Sequence, residues 1–500
     1  MSTAPLLPSV FELARVTIEF TSPVTVGTGG GDDLVDSVCV TDANGLPAIP
    51  GTSIAGVLRH ALAQGDPDHD GGIRRVFGYQ DRDPQTGEPR GQSARLWTSW
   101  AQIHDQHDRP VAFRAGRERA AELSSDPVIA ALRAGVLRDH VRIGAKGVVA
   151  GRGKFDELLV PAGARFTFEL VVDALAADLA ERFSLDKVLG CLSRPLLRLG
   201  GRTRRGLGDF KLVRVLRRRF DLARDREPWA ALPCDIAAGD PAGVLERMEQ
   251  KDVDKLYDAA AAARIVLEPE DFFLVGGGDV AAWGEAAGVA RGDLEHVDVA
   301  PYTERAITWT DQGGQVLERP QVVLTATGIK GALRHRVAFH ARAIEKQWIG
   351  DRKSEEVDLD NPGPASDAGR RAVEALFGTA KDDGEGTPGR VYLPDVRLAP
   401  PRAAVLQHVS LDRFTGGPMD GMLFGEGVAW REETGGRVAT VEFDLWVDRP
   451  DDLDATARQA LRRAVDDLAQ GRLALGAAAS RGHGYFRGEV RWNREWGGAQ

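Results

Sequence analysis

The chain has 500 residues, of which 43% are hydrophobic, and its 64 Lys and Arg against 74 Asp and Glu give a formal net charge of −10 at pH 7. This length predicts roughly two to four domains, and the apolar content excludes disorder over the whole chain. The acidic balance excludes a uniformly basic nucleic-acid-binding protein. Three widely spaced cysteines, Cys39, Cys191 and Cys234, exclude a disulfide framework, and we expect each to be a small buried side chain. Because no apolar run is long enough to span a membrane, we expect a soluble, cytoplasmic protein with no membrane partner.

The predicted elements alternate between strands and short helices. Residues 13–26 alternate apolar and polar side chains as a half-buried strand does. Residues 52–62 carry an apolar stripe of helical period, and Thr52 or Ser53 is suited to cap the start of that helix. Further strands are predicted at 164–173 and 438–448, and helices ending in glycine at 185–200 and 465–476. Stretches rich in Gly, Pro and charge are predicted loops: 64–72, 80–92, 350–369 and 380–389.

The second half of the chain repeats the first. Residues 50–60 (PGTSIAGVLRH) align without gaps with 325–335 (TATGIKGALRH), and 199–210 (LGGRTRRGLGDF) with 475–486 (LGAAASRGHGYF). Weaker pairs lie between them in the same order: 76–78 with 376–378, 94–103 with 389–398, 140–143 with 408–411, and 164–173 with 438–448. Because chance similarity would not preserve this order, we infer a gene duplication.

The duplication divides the chain into two units, residues 8–220 and 263–492. Residues 221–262 between them are predicted to be a linker with a short helix around 241–262. Within each unit the order of elements is approximately β-α-β-β-α-β, with insertions. The predicted fold class is therefore α+β, with two tandem ferredoxin-like (RRM-like) domains.

Basic residues are concentrated near the end of the first unit. Residues 194–219 contain ten Lys and Arg and a single acid, Asp209, beside four glycines at 200, 201, 206 and 208. Glycines let backbone N–H groups approach a phosphate, so this segment predicts phosphate binding in spite of the negative net charge. The alternative is a solvated strand and turn whose glycines are needed for positive φ. The second copy has Arg481 and His483 but lacks most of the loop arginines of the first.

The repeated helix is a second candidate for RNA contact. Lys330 and Arg334 are four residues apart and so share one helix face, and Arg59 and His60 occupy the first copy. A helix start also offers free N–H groups to a phosphate. The alternative is a surface helix whose arginine lies over the sheet.

These blocks resemble the RAMP superfamily of CRISPR-associated proteins, in particular the backbone subunits of type III effector complexes. The motifs that carry the resemblance are VGTGGGDDLVD (26–36), PAIPGTSIAGVLRHAL (47–62), GGRTRRGLG (200–208), ATGIKGALRHRV (326–337), HVSLDRFTGGPMDGMLF (408–424) and ASRGHG (479–484). The resemblance implies a tandem fusion of two backbone subunits. Such a protein would bind CRISPR guide RNA, cleave the paired target RNA and assemble with other type III CRISPR effector subunits.

The resemblance also implies thumb-like hairpins at 140–161 and 408–424 that insert into the guide–target duplex. Phe414 or Met419 would wedge between bases while basic residues contact the backbone. The alternative is a plain mobile loop. The predicted RNA contacts are Ser53, Arg59, His60, Arg142, Lys146, Arg152, Lys154, Arg202, Arg204, Arg205, Lys330, Arg334, His335, Arg413, Phe414, Arg481 and His483.

By the same resemblance, a catalytic aspartate is expected in a loop before the helix block. Asp36 in VDSVCV is the best match, with Asp32 and Asp33 as rivals, and Asp298 in HVDVAPY is its counterpart. Asp36 would hold a divalent cation, Mg²⁺ or Mn²⁺, or act as a base on a ribose 2′-OH, giving metal-dependent endoribonuclease activity on target RNA. The alternative for either residue is a turn-forming acid.

Three other functions stay open. The chain could be a non-catalytic RNA-binding scaffold of the same complex, or a guide-RNA-processing endonuclease that uses His60 or His140 as general acid and base. A two-lobed metabolic enzyme is the alternative outside RNA biology. A polymerase or cyclase reading of GGGDD (29–33) is not supported, because no clear second strand follows the two aspartates.

Overall fold

The structure is a computed structural model. It describes residues 10–27, 39–63, 71–82, 86–143, 149–173, 183–256, 260–347, 366–379, 386–398, 402–430, 433–434, 437–438 and 440–496. None of the helices in these ranges combines the length and apolar content that crossing a bilayer would require.

The first half is built on a six-stranded antiparallel sheet of order β10-β9-β1-β8-β4, in which β5 also pairs with β8. The strands are β1 (Val10–Phe20), β2 (Tyr79–Arg82), β3 (Pro89–Gln92), β4 (Leu96–Thr98), β5 (Gln102–Ile103), β6 (Val136–Ile143), β7 (Val149–Leu159), β8 (Arg165–Asp173), β9 (Phe210–Asp221) and β10 (Glu246–Arg247). The helices are α1 (Gly51–Ala63), α2 (Gly71–Phe77), α3 (Arg117–Ser124), α4 (Pro127–Ala134), α5 (Leu185–Leu192), α6 (Arg226–Ala231) and α7 (Gln250–Asp254).

The second half is built on a four-stranded antiparallel sheet of order β16-β22-β11-β23. The strands are β11 (Ala263–Pro269), β12 (Thr303–Glu304), β13 (Ile307–Thr310), β14 (Gly313–Val316), β15 (Gln321–Leu324), β16 (Val391–Tyr392), β17 (Val396–Leu398), β18 (Arg402–Leu411), β19 (Pro418–Trp430), β20 (Glu433–Thr434), β21 (Arg437–Val438), β22 (Val441–Val447) and β23 (Phe486–Trp492). The helices are α8 (Val280–Ala287), α9 (Ala326–Ile344), α10 (Ala368–Phe377) and α11 (Ala455–Ala469).

The two sheets have the same strand order. The run β9-β1-β8-β4 in the first half corresponds to β23-β11-β22-β16 in the second. The first strand of each half therefore lies centrally, β1 between β9 and β8 and β11 between β23 and β22. Each sheet is covered by two helices, α1 and α5 or α9 and α11, whose apolar stripes form a hydrophobic core with it. The predicted α+β class with antiparallel sheets is confirmed.

The segment predicted as a linker packs against the first sheet. Leu232, Val244 and Leu245 bury themselves with Leu13 of β1 on the face opposite the main core. Arg15, also on β1, donates to the carbonyl of Pro233 at 2.6 Å. Residues 221–256 therefore form a covering layer, and β1 is buried on both faces rather than half-buried.

Several element boundaries differ from the prediction. Helix α5 ends at Leu192 because the following Ser-Arg-Pro disfavours helical backbone. Helix α11 begins earlier than predicted, where Asp454 caps it by accepting from the N–H of Ala457 at 2.6 Å, and it ends at Ala469. Residues 80–92 were predicted as a loop, but the strands β2 (Tyr79–Arg82) and β3 (Pro89–Gln92) pair with each other there. The expectation for the cysteines was wrong for Cys234, which is exposed.

Candidate nucleic-acid interface

The two glycine-rich loops fold into the same turn. Residues Thr203–Arg205 and Ala479–Arg481 each form one turn of 3-10 helix. Each turn lies between two residues with positive φ: Arg202 (52°) and Gly206 (99°) in the first, Ala478 (61°) and Gly482 (90°) in the second. Because the positive φ of Gly206 and Gly482 by itself favours glycine, these glycines alone do not indicate a phosphate site.

The arginines of the first turn contact protein groups. Arg202 pairs with the buried Glu157 and lies 4.7 Å from the centre of the Phe155 ring. Arg205 lies over the same ring at 5.1 Å, and Arg204 over Tyr392 at 4.2 Å. The predicted phosphate ligands Arg202, Arg204 and Arg205 are thus held in cation–π contacts.

Four of the five basic residues of β9 are paired with acids, and three of these acids are distant in sequence. Lys211 lies 2.9 Å from Glu19, Arg214 lies 3.2 Å from Asp108, and Arg217 pairs with Asp186. Arg218 lies 3.2 Å from Asp225. With Arg202, at least five of the ten basic residues in 194–219 therefore have an acidic partner in the fold.

The repeated helices place their basic residues differently. Lys330 is half-buried at the start of α9 and donates to the carbonyl of Arg204. Burial, together with the charges of Arg198 and Arg204, lowers the pKa of Lys330 to about 7. Lys330 therefore makes a contact between the two halves, and its role as an RNA ligand stays a prediction. Arg334 and His335 are exposed further along α9, Arg59 and His60 are exposed on α1, and Ser53 is half-buried.

The hairpin β18–β19 presents apolar side chains to solvent. Phe414 at its tip is 94% exposed, and Met419 is 43% exposed. The carboxylate of Asp412 accepts from the backbone N–H groups of Phe414 at 3.0 Å and Thr415 at 2.7 Å, which fixes the turn. Arg413 beside them is exposed. The remaining exposed apolar residues of the hairpin are Val409, Leu411, Met422 and Leu423.

The hairpin β6–β7 is described in part. Arg142 and Arg152 lie on its strands, where the structure describes the backbone, and Lys146 lies outside the described residues. Lys154 is exposed and lies 3.0 Å from Asp139.

Both hairpins carry the same histidine–phenylalanine–glutamate cluster along their strands. His140 stacks on Phe155 with ring centres 4.8 Å apart, and His408 stacks on Phe424 at 4.9 Å. The imidazoles face a buried glutamate in each half: His140 lies 3.1 Å from Glu157, and His408 lies 3.0 Å from its equivalent, Glu426. The repeated His-Val of HVRI and HVSL was the one sequence signal of this cluster.

The second cluster contains two further residues from the glycine-rich loop. Arg481 pairs with Glu426, and His483 is buried with its Nε2 atom 3.4 Å from the same carboxylate. The predicted RNA ligands Arg481 and His483 therefore both face a buried glutamate.

The structure describes only one of the two candidate catalytic aspartates, Asp298. Asp36, with Asp32 and Asp33, lies outside the described residues, although Gly27 and Cys39 on either side of that segment pair with each other. Asp298 is exposed, and its Oδ2 accepts from the N–H of Gly425 at 2.8 Å. Among the residues that the structure describes, Asp298 belongs to no group of three or more potential metal ligands.

A buried charge cluster joins the two halves. Arg138 of β6 lies 2.7 Å from Asp395 and 2.5 Å from Glu304, and all three are almost fully buried. Arg397 adds a contact with Glu304 at 3.3 Å and donates to the carbonyl of Thr21 at 2.8 Å. Burial opposes the charge on Arg138, but the two carboxylates overcome that effect and raise its pKa.

The chain belongs to the RAMP superfamily. The model of that family matches residues 17–211 and 313–487, which together make up well over half of the sequence. Each matched region contains one of the two glycine-rich turns, and the strands β8 in the first half and β22 in the second lie wholly within it.

The other comparisons add little. No curated protein matches the sequence. A similar solved structure is a chain described as "Cryo-EM structure of the Type III-B Cmr-beta bound to cognate target RNA". It is 14% identical, with a TM-score of 0.28, over 42% of this chain and 61% of that chain, so the match spans less than two thirds of the latter.

Proposed function

We propose that the chain is a backbone subunit of a type III CRISPR RNA-guided effector complex that binds guide RNA and cleaves the paired target RNA. Membership of the RAMP superfamily supports the class. The equal strand order of the two sheets supports two tandem ferredoxin-like domains. The observation that carries the proposal concerns the contact between the halves. The turn that makes this contact in the first half has an equivalent in the second half that no described residue covers.

In that contact the glycine-rich turn of the first half receives the start of α9. A Cβ added to Gly206 would overlap the side chain of Ala326, the first residue of that helix. At the equivalent Gly482, no atom of the described chain lies within 4 Å of the same position. The glycine-rich turn and the helix start are unlike surfaces, so their contact is heterologous. Unless such contacts close into a ring, one turn and one helix start stay available to further subunits. The turn Ala479–Arg481 would accordingly receive the helix start of a neighbouring RAMP subunit.

Repetition of this contact would arrange the subunits in a row. At the opposite end of this chain, the start of α1 would then receive the glycine-rich turn of another neighbouring subunit. Gly51 packs there against the carbonyl of Thr98, and Trp97 and Trp100 beside it are 60% and 43% exposed. Two exposed tryptophans are unusual on a monomer surface and typical of interfaces. In reconstitution with the other effector subunits, Trp97→Ala with Trp100→Ala should abolish incorporation of the chain at this end. Phe339→Ala, which removes a side chain 49% exposed on α9, is the control that should incorporate normally.

The hairpins support contact with a nucleic-acid duplex. A rigid turn presents Phe414 almost completely to solvent, with Arg413 next to it. Unstacked RNA bases are recognised by stacking on such aromatic side chains, while arginines contact phosphates. Phe414→Ala should weaken binding to a guide–target duplex more than binding to the guide alone.

Cleavage is assigned to Asp36 and Asp298, with Mg²⁺ or Mn²⁺ as the cation. Asp298 is exposed with one carboxylate oxygen fixed by Gly425, which leaves the other free to face a substrate. The test is reconstitution with guide RNA and complementary target RNA, comparing wild type with Asp36→Ala, Asp298→Ala and the double variant. Each single variant should lose a subset of the cuts, and the double variant should bind target without cutting it. Unaltered products from the double variant would refute the assignment.

The same experiment separates the two alternatives. A non-catalytic scaffold would bind guide RNA normally and give no cleavage with any variant, including wild type. A guide-processing enzyme that uses His140 is not favoured, because burial and the charges of Arg205 and Arg138 lower the pKa of His140 to about 4. At neutral pH that imidazole lacks the proton that a general acid must donate.

A further inference from the structure

We infer that His408, Glu426 and His483 form a binding site for a transition-metal ion of the zinc class. The three residues come from β18, β19 and the glycine-rich loop, so the fold and not the sequence order brings them together. Their ligand atoms all lie within 4.8 Å of one another. The Nε2 atoms of His408 and His483 lie 3.0 and 3.4 Å from one and the same oxygen, Oε2 of Glu426.

The two separations between imidazole nitrogen and carboxylate oxygen suit a tetrahedral ion. Ligand atoms about 2.0–2.1 Å from a tetrahedral Zn²⁺ are roughly 3.3 Å from each other. Two imidazole nitrogens and one carboxylate oxygen are a donor set that zinc and its neighbours in the first transition series accept, whereas Mg²⁺ prefers oxygen ligands. Three protein ligands leave one coordination position for water or a further ligand.

The burial of the cluster also points to an ion. The side chain of His483 is 5% exposed, and its Nε2 atom has no hydrogen-bond partner of acceptable geometry among the described residues. A buried polar nitrogen without a partner is unfavourable unless something binds it. His408 is partly exposed, which gives an ion a route from solvent to the site.

Neighbouring side chains hold the ligands in place. Arg481 pairs with Oε1 of Glu426, so the other oxygen, which both imidazoles face, is left for the ion. Phe424 stacks on the His408 ring, and Phe272 contacts His483 edge-on with ring centres 5.9 Å apart. Contacts that orient metal ligands raise affinity because less freedom is lost on binding.

The first half provides an internal comparison. It keeps His140 and the buried Glu157, but the gapless alignment of the two loops puts Leu207 where the second half has His483. Leu207 is 1% exposed, so the apolar residue fills the position of the third ligand. The metal site is therefore predicted in the second half alone.

The test uses the full-length chain, stripped of metal with a chelator and dialysed. Co²⁺ is titrated as the spectroscopic probe, and Zn²⁺ or excess Mg²⁺ is then added in competition. One Co²⁺ per chain should bind with visible absorption bands, and Zn²⁺ but not Mg²⁺ should displace it. Failure of the wild-type chain to bind Co²⁺ in this stoichiometry would overturn the inference.

Two variants locate the ion. His483→Leu introduces the residue that the first half already accommodates, and it should weaken Co²⁺ binding at least about tenfold while circular dichroism melting shows an intact fold. Glu157→Gln in the first half is the matched control and should bind as wild type does. Equal binding by wild type and His483→Leu would assign the ion to other histidines and overturn the site. Neither readout involves RNA, so the result is independent of the proposed function.

Discussion

The two halves share the strand order of their sheets and differ in what their equivalent surfaces contact. In the first half the glycine-rich turn is covered by α9, and its arginines stack on Phe155 and Tyr392. In the second half no described residue covers the position of Gly482 in the equivalent turn, and the loop contributes Arg481 and His483 to contacts with a buried glutamate. After a duplication, one copy can bind the other while the second keeps its surface for other partners. Similar loops therefore do not imply similar roles.

The largest effect is expected from the charge cluster that joins the halves. Arg138→Ala removes the cation between two buried carboxylates and should lower the free energy of unfolding by about 3–5 kcal/mol. Arg264→Ala is the matched control, since Arg264 is half-exposed beside Glu442 and should lose less than about 1 kcal/mol. Urea unfolding measures both. Equal losses would show that the contact between the halves contributes little.

The next effect is a pH dependence that comes from the first half. The unfolded imidazole of His140 binds a proton below its ordinary pKa of 6.5, whereas the folded one does so at about 4. The unfolded state therefore binds more protons between these values, and the free energy of unfolding should fall by roughly 3 kcal/mol as the pH drops through them. His140→Gln should remove this fall from the stability profile. A variant profile parallel to that of wild type would contradict the burial argument.

A smaller difference should separate two equivalent glycines. Both Gly206→Ala and Gly482→Ala place a side chain at positive φ, which costs roughly 1–2 kcal/mol. Gly206→Ala in addition overlaps Ala326 and should lose about 1–3 kcal/mol more. Thermal or urea unfolding of the pair gives the difference directly. Equal losses of unfolding free energy in the two variants would show that Gly206 is not in close contact with Ala326 of α9.

The smallest effect concerns the hairpin tip. Three hydrogen bonds to Asp412, from the N–H groups of Phe414 and Thr415 and the hydroxyl of Thr415, lower the pKa of its carboxyl. Asp412→Ala should leave global unfolding unchanged and accelerate amide hydrogen exchange at Phe414 and Thr415. Exchange that stays as slow as in wild type would mean that the turn does not depend on this side chain.

Much of the fold could be predicted, because its signals are local. The apolar stripe at 52–62 and the alternation at 164–173 and 438–448 correspond to α1, β8 and β22. The repeated glycines mark turns with positive φ, a property of the backbone that any sequence copy retains. The packing of the predicted linker could not be predicted, because nothing in its composition shows that Leu232 and Val244 pack against the first sheet.

The candidate site could be predicted only in part. The exposed Phe414 lies in the hairpin that the resemblance implied. The arginines of 194–219 looked like a phosphate site because their acidic partners, such as Glu19 and Asp108, are far away in sequence. Lys330 looked exposed because the surface that covers it belongs to the other half of the chain.

The sequence by itself determined the repeated blocks, the α+β class and the position of each glycine-rich turn, since these follow from periodicity and spacing along the chain. Only the tertiary structure decided which charges are paired, which copy is covered and where His408, Glu426 and His483 meet. Charge pairing and metal ligation act between atoms within a few ångströms. The fold brings such atoms together across tens to hundreds of residues.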